Sequence, residues 1–416
     1  MSEQNWAGNV TFSASEVVRP TTVAELQELV ARSPRVRALG TGHSFSTVAD
    51  TTGTLVSLAE MPATVEVDSE AQTVRVAAAV RFGEIAAALH EAGLALHNMG
   101  SLPHISVAGA CATGTHGSGI GKGNLASAVV ALEMVTADGS LVTLRKGDPD
   151  FPAAVVALGS LGIVTHLTLA VQPSFEVRQW VYDDLSFEQV LGSFDEVMGA
   201  GYSVSAFTDW NGDTFTTTWV KKRVGDEGDG DVPEAWLGGR LAPVQRHCIE
   251  GMPPENCTQQ LGVPGPWHER LPHFRMEFTP SNGDEIQSEY LVAAENGPDA
   301  LRAIHGVREQ IAPVLQISEI RTIAADELWM SAAYGRDSVA LHFTWISDAE
   351  AVAPALRALE EAIAPFEARP HWGKVFSVEP EDVRALFPRI EDFGKLTRTY
   401  DPGGKLRNAF VDTYLG

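Results

Sequence analysis

Residues 21–31 place Val23, Leu26, Leu29 and Val30 at the three- and four-residue spacing of one helical face, with Thr22 as candidate cap. A different period follows. Short apolar runs at 36–39, 54–57, 65–67 and 74–77 read as strands, and residues 82–92 return to helical spacing before Gly93 supplies a stop. Residues 126–136, 141–144 and 162–171 continue the strand pattern, while 150–157 read as a short helix ahead of Gly159. Strands and helices do not alternate one for one, so the pattern predicts an α+β fold and not a regular βαβ array.

After about Pro173 the pattern changes: tryptophans at 180, 210, 219, 236, 267, 329, 345 and 372 accumulate in strand-like runs such as 215–220. A domain boundary is placed there. The acidic run Gly225-Asp226-Glu227-Gly228-Asp229-Gly230-Asp231 cannot bury itself and reads as a solvated loop between strands. In the apolar stretch 314–323, Glu319 and Arg321 are one residue apart, so a strand would send both to one face and Ile320 to the other. His342 and Thr344 do the same within 341–345. Two such strands side by side would line one polar wall with an acid, a guanidinium, an imidazole and a hydroxyl. On the pattern alone they are the outer faces of half-solvated strands, with Glu319 and Arg321 an ordinary surface pair.

Composition narrows the function classes. The chain of 416 residues is 44% hydrophobic and 20% charged, enough for two cores and unlike a disordered protein. A net charge of −24 argues against nucleic acid and anionic membrane surfaces and suits a neutral substrate. The start Met1-Ser2-Glu3-Gln4-Asn5-Trp6 has no signal-peptide pattern, and no apolar run reaches spanning length, so a cytoplasmic protein is expected. Cys111, Cys248 and Cys257 form no Cys-x-x-Cys pair and are expected as reduced thiols. No metal is expected: His268-Glu269-Arg270-Leu271-Pro272 has proline where a zinc helix needs its second histidine. Residues 117–123 carry glycines like a nucleotide loop, but Gly123 replaces the Ser or Thr of a P-loop and Lys122 the third glycine of a Rossmann loop.

Two glycine-rich stretches carry candidate chemistry. Arg37-Ala38-Leu39-Gly40-Thr41-Gly42-His43-Ser44-Phe45-Ser46 sets a histidine between residues that allow positive φ and close ligand approach. Alone, it reads better as a polar surface turn. Residues 98–119 are rich in Gly, Ala, Ser and Thr, whose backbone N–H groups and hydroxyls suit a buried pyrophosphate where cations are scarce, Lys122 being the first that follows. Close strand packing is the competing reading of that stretch.

In this order and spacing the two stretches resemble the PCMH-type FAD-binding half of the vanillyl-alcohol oxidase family. Asn5-Trp6-Ala7-Gly8-Asn9, the run Ser101-Leu102-Pro103-His104-Ile105-Ser106-Val107-Ala108-Gly109, residues 264–275 (from Pro264 through Trp267 and His268 to Arg275) and residues 370–376 (Pro370-His371-Trp372-Gly373-Lys374-Val375-Phe376) extend the resemblance along nearly the whole chain to bacterial alditol (xylitol/sorbitol) oxidases. The resemblance implies a two-domain fold: a PCMH-type FAD-binding domain at 1–173, a mixed α/β substrate (cap) domain at 174–375, and a segment at 376–416 returning to the first.

It further implies FAD attached covalently through His43, with Gly40, Thr41, Gly42, Ser44, Phe45, Ser101, Ser106, Gly109, Thr113, Gly114, His116, Gly117 and Ile163 as cofactor contacts. Ser101, Glu319, Arg321, Thr344 and Lys374 are the implied substrate contacts; Arg321, His342 and Lys374 are the implied catalytic groups, His342 being the base with Arg321 lowering its pKa. His371, His104 and His116 are expected to cap, pack or hydrogen-bond. Gly100 stands where the family has a small residue that lets dioxygen reach the flavin, most often alanine. The implied reaction takes the terminal primary alcohol of an alditol to the aldose and reduces O2 to H2O2, with a polyol and O2 as the partners of a monomer. An aldonolactone or other sugar oxidase or dehydrogenase, and a non-enzymatic flavin-binding protein, are the alternatives.

Overall fold

The computed structural model describes residues 3–230, 232–278 and 284–415. Strands β1 (Glu16–Val18), β2 (Val36–Leu39) and β3 (Thr54–Ser57) form a parallel sheet in the order β1-β3-β2, and helix α1 (Val23–Arg32) packs beside it. The predicted cap is present, Thr22 accepting from the Glu25 backbone N–H. Leu26, Leu29 and Val30 are buried on the predicted face, each stabilising the fold by about 1.5–3 kcal/mol. A second sheet is antiparallel, in the order β4 (Val65–Asp68), β5 (Thr73–Ala77), β8 (Ile163–Ala170), β6 (Val129–Val135), β7 (Leu141–Arg145). Helix α2 (Phe82–Glu91) buries Phe82, Ile85, Ala86 and Leu89 and gives way at Gly93, whose φ is +72°. Helix α3 (Val107–Thr113) lies within the second glycine stretch.

Two elements are shorter than their pattern suggests. Residues 125–128 form a 3-10 turn because Asn124 accepts from the Ser127 N–H, so the strand begins at Val129. The helix expected over 150–157 is confined to Phe151–Val155, since the chain turns left-handed at Leu158 and Gly159.

Residues 176–370 build one large sheet whose central strands are all antiparallel: β9 (Glu176–Ser186), β11 (Thr214–Arg223), β10 (Ser203–Thr208), β13 (Leu315–Ile323), β14 (Ser338–Ile346), β12 (Glu285–Ala293). Four of the eight tryptophans, Trp180, Trp219, Trp236 and Trp345, stand on strands; the others occupy turns. One face of the sheet carries Val204, Ala206, Ile320, Leu341, Phe343 and Trp345 into a core closed by helices α4 (Gly297–Gly306) and α5 (Ala349–Ile363). The acidic run is turn structure over residues 225–230; Asp231 lies outside the described residues.

The C-terminal segment folds back onto the first sheets. Phe393, Phe410, Val411 and Leu415 join the core that contains Val74 and Ile85, and Asn408 donates to the carbonyls of Thr47, Val48 and Asp50. All three cysteines are free and buried. Among the described residues no helix is long and apolar enough to cross a membrane, and no group of three or more His, Cys, Asp or Glu side chains could hold a metal ion.

Candidate active site

The free face of the large sheet and the two glycine stretches enclose one cavity of about 370 Å³. Gly40, Thr41, Gly42, His43, Ser44, Phe45, Gly100, Ser101, Ser106, Gly109, Thr113 and His116 line it from one side; Glu319, Arg321, His342, Thr344 and Lys374 line it from the other. Three expected contacts are not on the lining. Gly114 takes a φ of +73° to cap α3, and a Cβ on Gly117 would sit 2.4 Å from Asn98 Oδ1 and Met99 O, so both glycines serve the backbone. The Ile163 side chain packs into the core beneath α1.

Close backbone approach shapes the glycine side. A Cβ on Gly40 would lie 2.5 Å from Ser106 Oγ, and Thr41 Oγ1 accepts from the Ser106 N–H at 3.2 Å, so the first stretch rests directly on the start of α3. Gly42 turns the chain with a φ of +70° and accepts the Trp6 N–H, which brings the Trp6 ring against the His43 ring at 5.1 Å and 18°. Burial, with His104 and Lys374 nearby, pushes the His43 imidazole down to about 4, so it is neutral at pH 7. Its Nδ1 is buried without a partner, as is Ser106 Oγ. Exposed backbone, a hydroxyl and a neutral imidazole awaiting partners are what FAD requires of a cradle, and these residues fit it.

Arg37, quoted in the motif but not singled out, is fully sequestered at 2% exposure. Its guanidinium donates to the carbonyls of Leu406, Leu158, Gly159 and Val48, which ties the returning C-terminal segment to the cavity wall.

The polar wall is in register. Glu319 pairs with His342, and His342 with Glu289, so one cross-strand row carries three ionisable groups on the cavity face. Glu319, Arg321 and His342 are 5%, 6% and 8% exposed, which rules out the solvated-surface reading of their alternation. Arg321 lies 3.0 Å from Glu289 Oε1 and 3.4 Å from Glu319 Oε1, and it donates to Ser101 Oγ at 3.4 Å. Burial would raise the Glu319 carboxyl, but Arg321 and His273 hold it below the usual carboxylate range. For Glu289, burial is likewise overcome by the imidazoles of His116 and His342, at 3.1 and 3.6 Å.

His342 is depressed first by burial; Glu289 opposes this, and Lys374 and Arg321 add smaller downward pushes, so Arg321 is not the main cause of a neutral His342. Its Nε2 meets Thr344 Oγ1 at 3.3 Å. Lys374, also depressed by burial, donates to Gln287 Oε1 and stands 5.1 Å from the Phe45 ring centroid.

Three further histidines named in the sequence hydrogen-bond within the chain. His371 Nδ1 accepts the Gly373 N–H, His104 Nε2 meets Met276 O, and His116 Nδ1 meets Gly117 O. Glu289, Gln287 and His273 line the cavity without having been singled out. For Glu289 and Gln287 the signal was blurred, since Ser288 between them is polar too and Gln287-Ser288-Glu289 shows no apolar alternation.

Comparison with known proteins agrees with this geometry. Residues 14–145 match the model of the FAD binding domain, and residues 281–414 match that of D-arabinono-1,4-lactone oxidase. An alditol oxidase from a Streptomyces species is 52% identical, over 99% of this chain and 98% of its own. L-gulono-1,4-lactone dehydrogenase of Mycobacterium tuberculosis is 30% identical over 99% and 98%, and L-gulonolactone oxidase of Mus musculus 24% over 98% and 97%. Among solved structures, cholesterol oxidase from B. sterolicum has the same fold, with a TM-score of 0.78 at 14% identity over 100% of this chain and 96% of its own. The chain therefore belongs to the alditol oxidase family of FAD-dependent oxidases.

Proposed function

We propose that this protein oxidises the terminal primary alcohol of an alditol such as xylitol or sorbitol to the aldose, with FAD joined covalently to His43. The observation that carries the reading is the buried row Glu319, His342 and Glu289 with Arg321 beside it, facing His43 and Ser106 across one cavity. A chain of hydroxyls needs donors and acceptors at several points, and this wall supplies both. FAD, when bound, supplies the two-electron acceptor and passes the electrons to dioxygen to give hydrogen peroxide.

The chain's own residues orient the alcohol and manage its proton. Glu319, Thr344 and Ser101 bind hydroxyls; Arg321 and Lys374 bind substrate and stabilise negative charge as an alcohol proton leaves. His342, kept neutral by burial, takes that proton at its Nε2, with Thr344 as hydrogen-bond partner. The neutral His43 imidazole, with its Nδ1 unpartnered, suits attachment, because only an unprotonated nitrogen is a nucleophile.

Gly100 is assigned to oxygen access: it lines the cavity, and a Cβ there would meet Ile105, His116 and Leu125 only at 3.7–3.8 Å, so space exists beside it. The proposal includes the division at 1–173, 174–375 and 376–416, supported by the distinct sheets and the C-terminal return. It also includes a cytoplasmic monomer.

The test is peroxide release under air from xylitol, sorbitol, mannitol and glycerol against L-gulono-1,4-lactone. Alditols are the better substrates on this reading; turnover of the lactone alone would replace it with the aldonolactone reading that the match over 281–414 suggests.

A further inference from the structure

Behind the polar wall lies a second layer of buried ionisable groups with no part in the reaction as described. Lys221, on β11, is 1% exposed. Among the described residues its ammonium forms no salt bridge; it donates to Leu271 O at 2.6 Å, to Pro272 O at 3.3 Å and to His273 Nδ1 at 3.1 Å. His273, 5% exposed, in turn meets Glu319 Oε1 at 2.7 Å through Nε2. Burying an ammonium is costly, and an apolar side chain would pack against Trp219 at no such cost.

The geometry fixes a direction for this chain. The Glu319 carboxylate only accepts, so the ring proton must sit on Nε2, and Nδ1 is left to accept from the Lys221 amine. Burial, with Lys221 adding to it, lowers His273 to about 4, which keeps a single proton on the ring. That proton is donated to Glu319 Oε1, the oxygen also nearest Arg321. Glu319 Oε2 then accepts no hydrogen bond among the described residues, and Glu319 lines the cavity.

We propose that Lys221 and His273 are positioning residues: Lys221 holds the His273 ring through Nδ1, and His273 anchors Glu319 through Oε1 so that Oε2 is left to accept a substrate hydroxyl. The last step rests on the polyol reading above; the tautomer does not. The charged and titratable groups facing Lys221 are Glu319 and Arg321 on β13, and Cys257 and His273 from the segment that follows the acidic turn. A lysine held only to bond the Leu271 and Pro272 carbonyls would, on its removal, leave both the His273 Nδ1 resonance and substrate affinity unmoved.

The test uses the flavin-loaded protein with 15N-labelled histidine, in wild type, Lys221→Met, His273→Gln and His273→Leu. The wild-type His273 signals should show Nδ1 unprotonated and Nε2 protonated at neutral pH; Lys221→Met should keep that tautomer, which Glu319 requires, but shift the Nδ1 resonance because its hydrogen-bond donor is lost. KM for the best alditol should rise about tenfold in Lys221→Met and His273→Leu with a smaller change in kcat. His273→Gln retains an N–H for Glu319 and should stay within about threefold of wild type.

A wild-type His273 protonated at Nδ1, or an Nδ1 resonance unmoved in Lys221→Met, overturns the relay, as does an unchanged KM in His273→Leu. Should Lys221→Met fail to fold, the wild-type tautomer and the His273→Gln and His273→Leu pair decide the matter. A wild type that turns over no alditol defeats the polyol reading, and the tautomer signals still decide the relay.

Discussion

Arg321 joins the two carboxylates of the wall, and its removal separates their effects. In Arg321→Met, Glu289 and Glu319 would lose the guanidinium that lies 3.0 and 3.4 Å away, leaving buried negative charge without its counter-ion. The expected cost is about 3–5 kcal/mol of stability, read as a fall in denaturation midpoint, with loss of turnover. A midpoint unchanged from wild type would mean that water reaches the pair. His342 makes a sharper kinetic statement. Its replacement by alanine should slow anaerobic flavin reduction by a factor on the order of 10²–10⁴, the usual worth of a positioned base, while leaving flavin content intact. An unaltered reduction rate removes His342 from the chemistry.

The contact between the first glycine stretch and α3 gives a test at the level of two elements. Gly40→Ala puts a Cβ 2.5 Å from Ser106 Oγ but 3.8 Å from Ser106 Cβ, so the clash belongs to the hydroxyl alone. Flavin loading should fall in Gly40→Ala and recover in Gly40→Ala/Ser106→Ala, a non-additive pair measured by the flavin-to-protein absorbance ratio. Equal loading in all three would show that the loop has room to move.

Elements with one clean period were legible in the sequence: α1 with its Thr22 cap, β2, β3, and the alternating β13 and β14. What the pattern could not supply was the partner of each face. Glu319 and Arg321 read as surface groups because alternation says which residues share a side, not whether a second body covers it. Residues 125–128 look like strand because they are apolar, and only the Asn124 side chain turns them. Ile163 and Gly117 were assigned to the cofactor from motif position, while their roles in the core and in backbone approach depend on α1 and residues 98–99, which motif position does not report. His273 and Lys221 lie 52 residues apart, on a loop and a strand, and no local pattern joins them.

The whole molecule keeps an unusual number of ionisable groups out of water, and this sets how it responds to acid. Burial holds His273 at about 4 and His371 at about 3 in the native state, against an ordinary value of 6.5. Below 6.5 the unfolded chain binds protons that the native protein refuses, so stability present above that pH is lost as pH falls towards about 4. The loss is up to about 1.4 kcal/mol per pH unit for each histidine. Glu289 and Glu319, whose native values lie below the carboxylate range, extend the loss to lower pH as they are forced to protonate. The melting temperature should therefore decline steadily below pH 6.5; a flat profile down to about pH 4 would contradict the burial of these imidazoles.

On the proposed function these groups serve a cavity that holds a polyol against a flavin, and single-turnover kinetics addresses that task without waiting for steady state. The enzyme as purified, made anaerobic and mixed with xylitol, should lose its oxidised-flavin absorbance, and admission of air should restore it with release of one hydrogen peroxide per flavin. Bleaching by L-gulono-1,4-lactone but by no alditol, or absorbance that air fails to restore, would contradict the account.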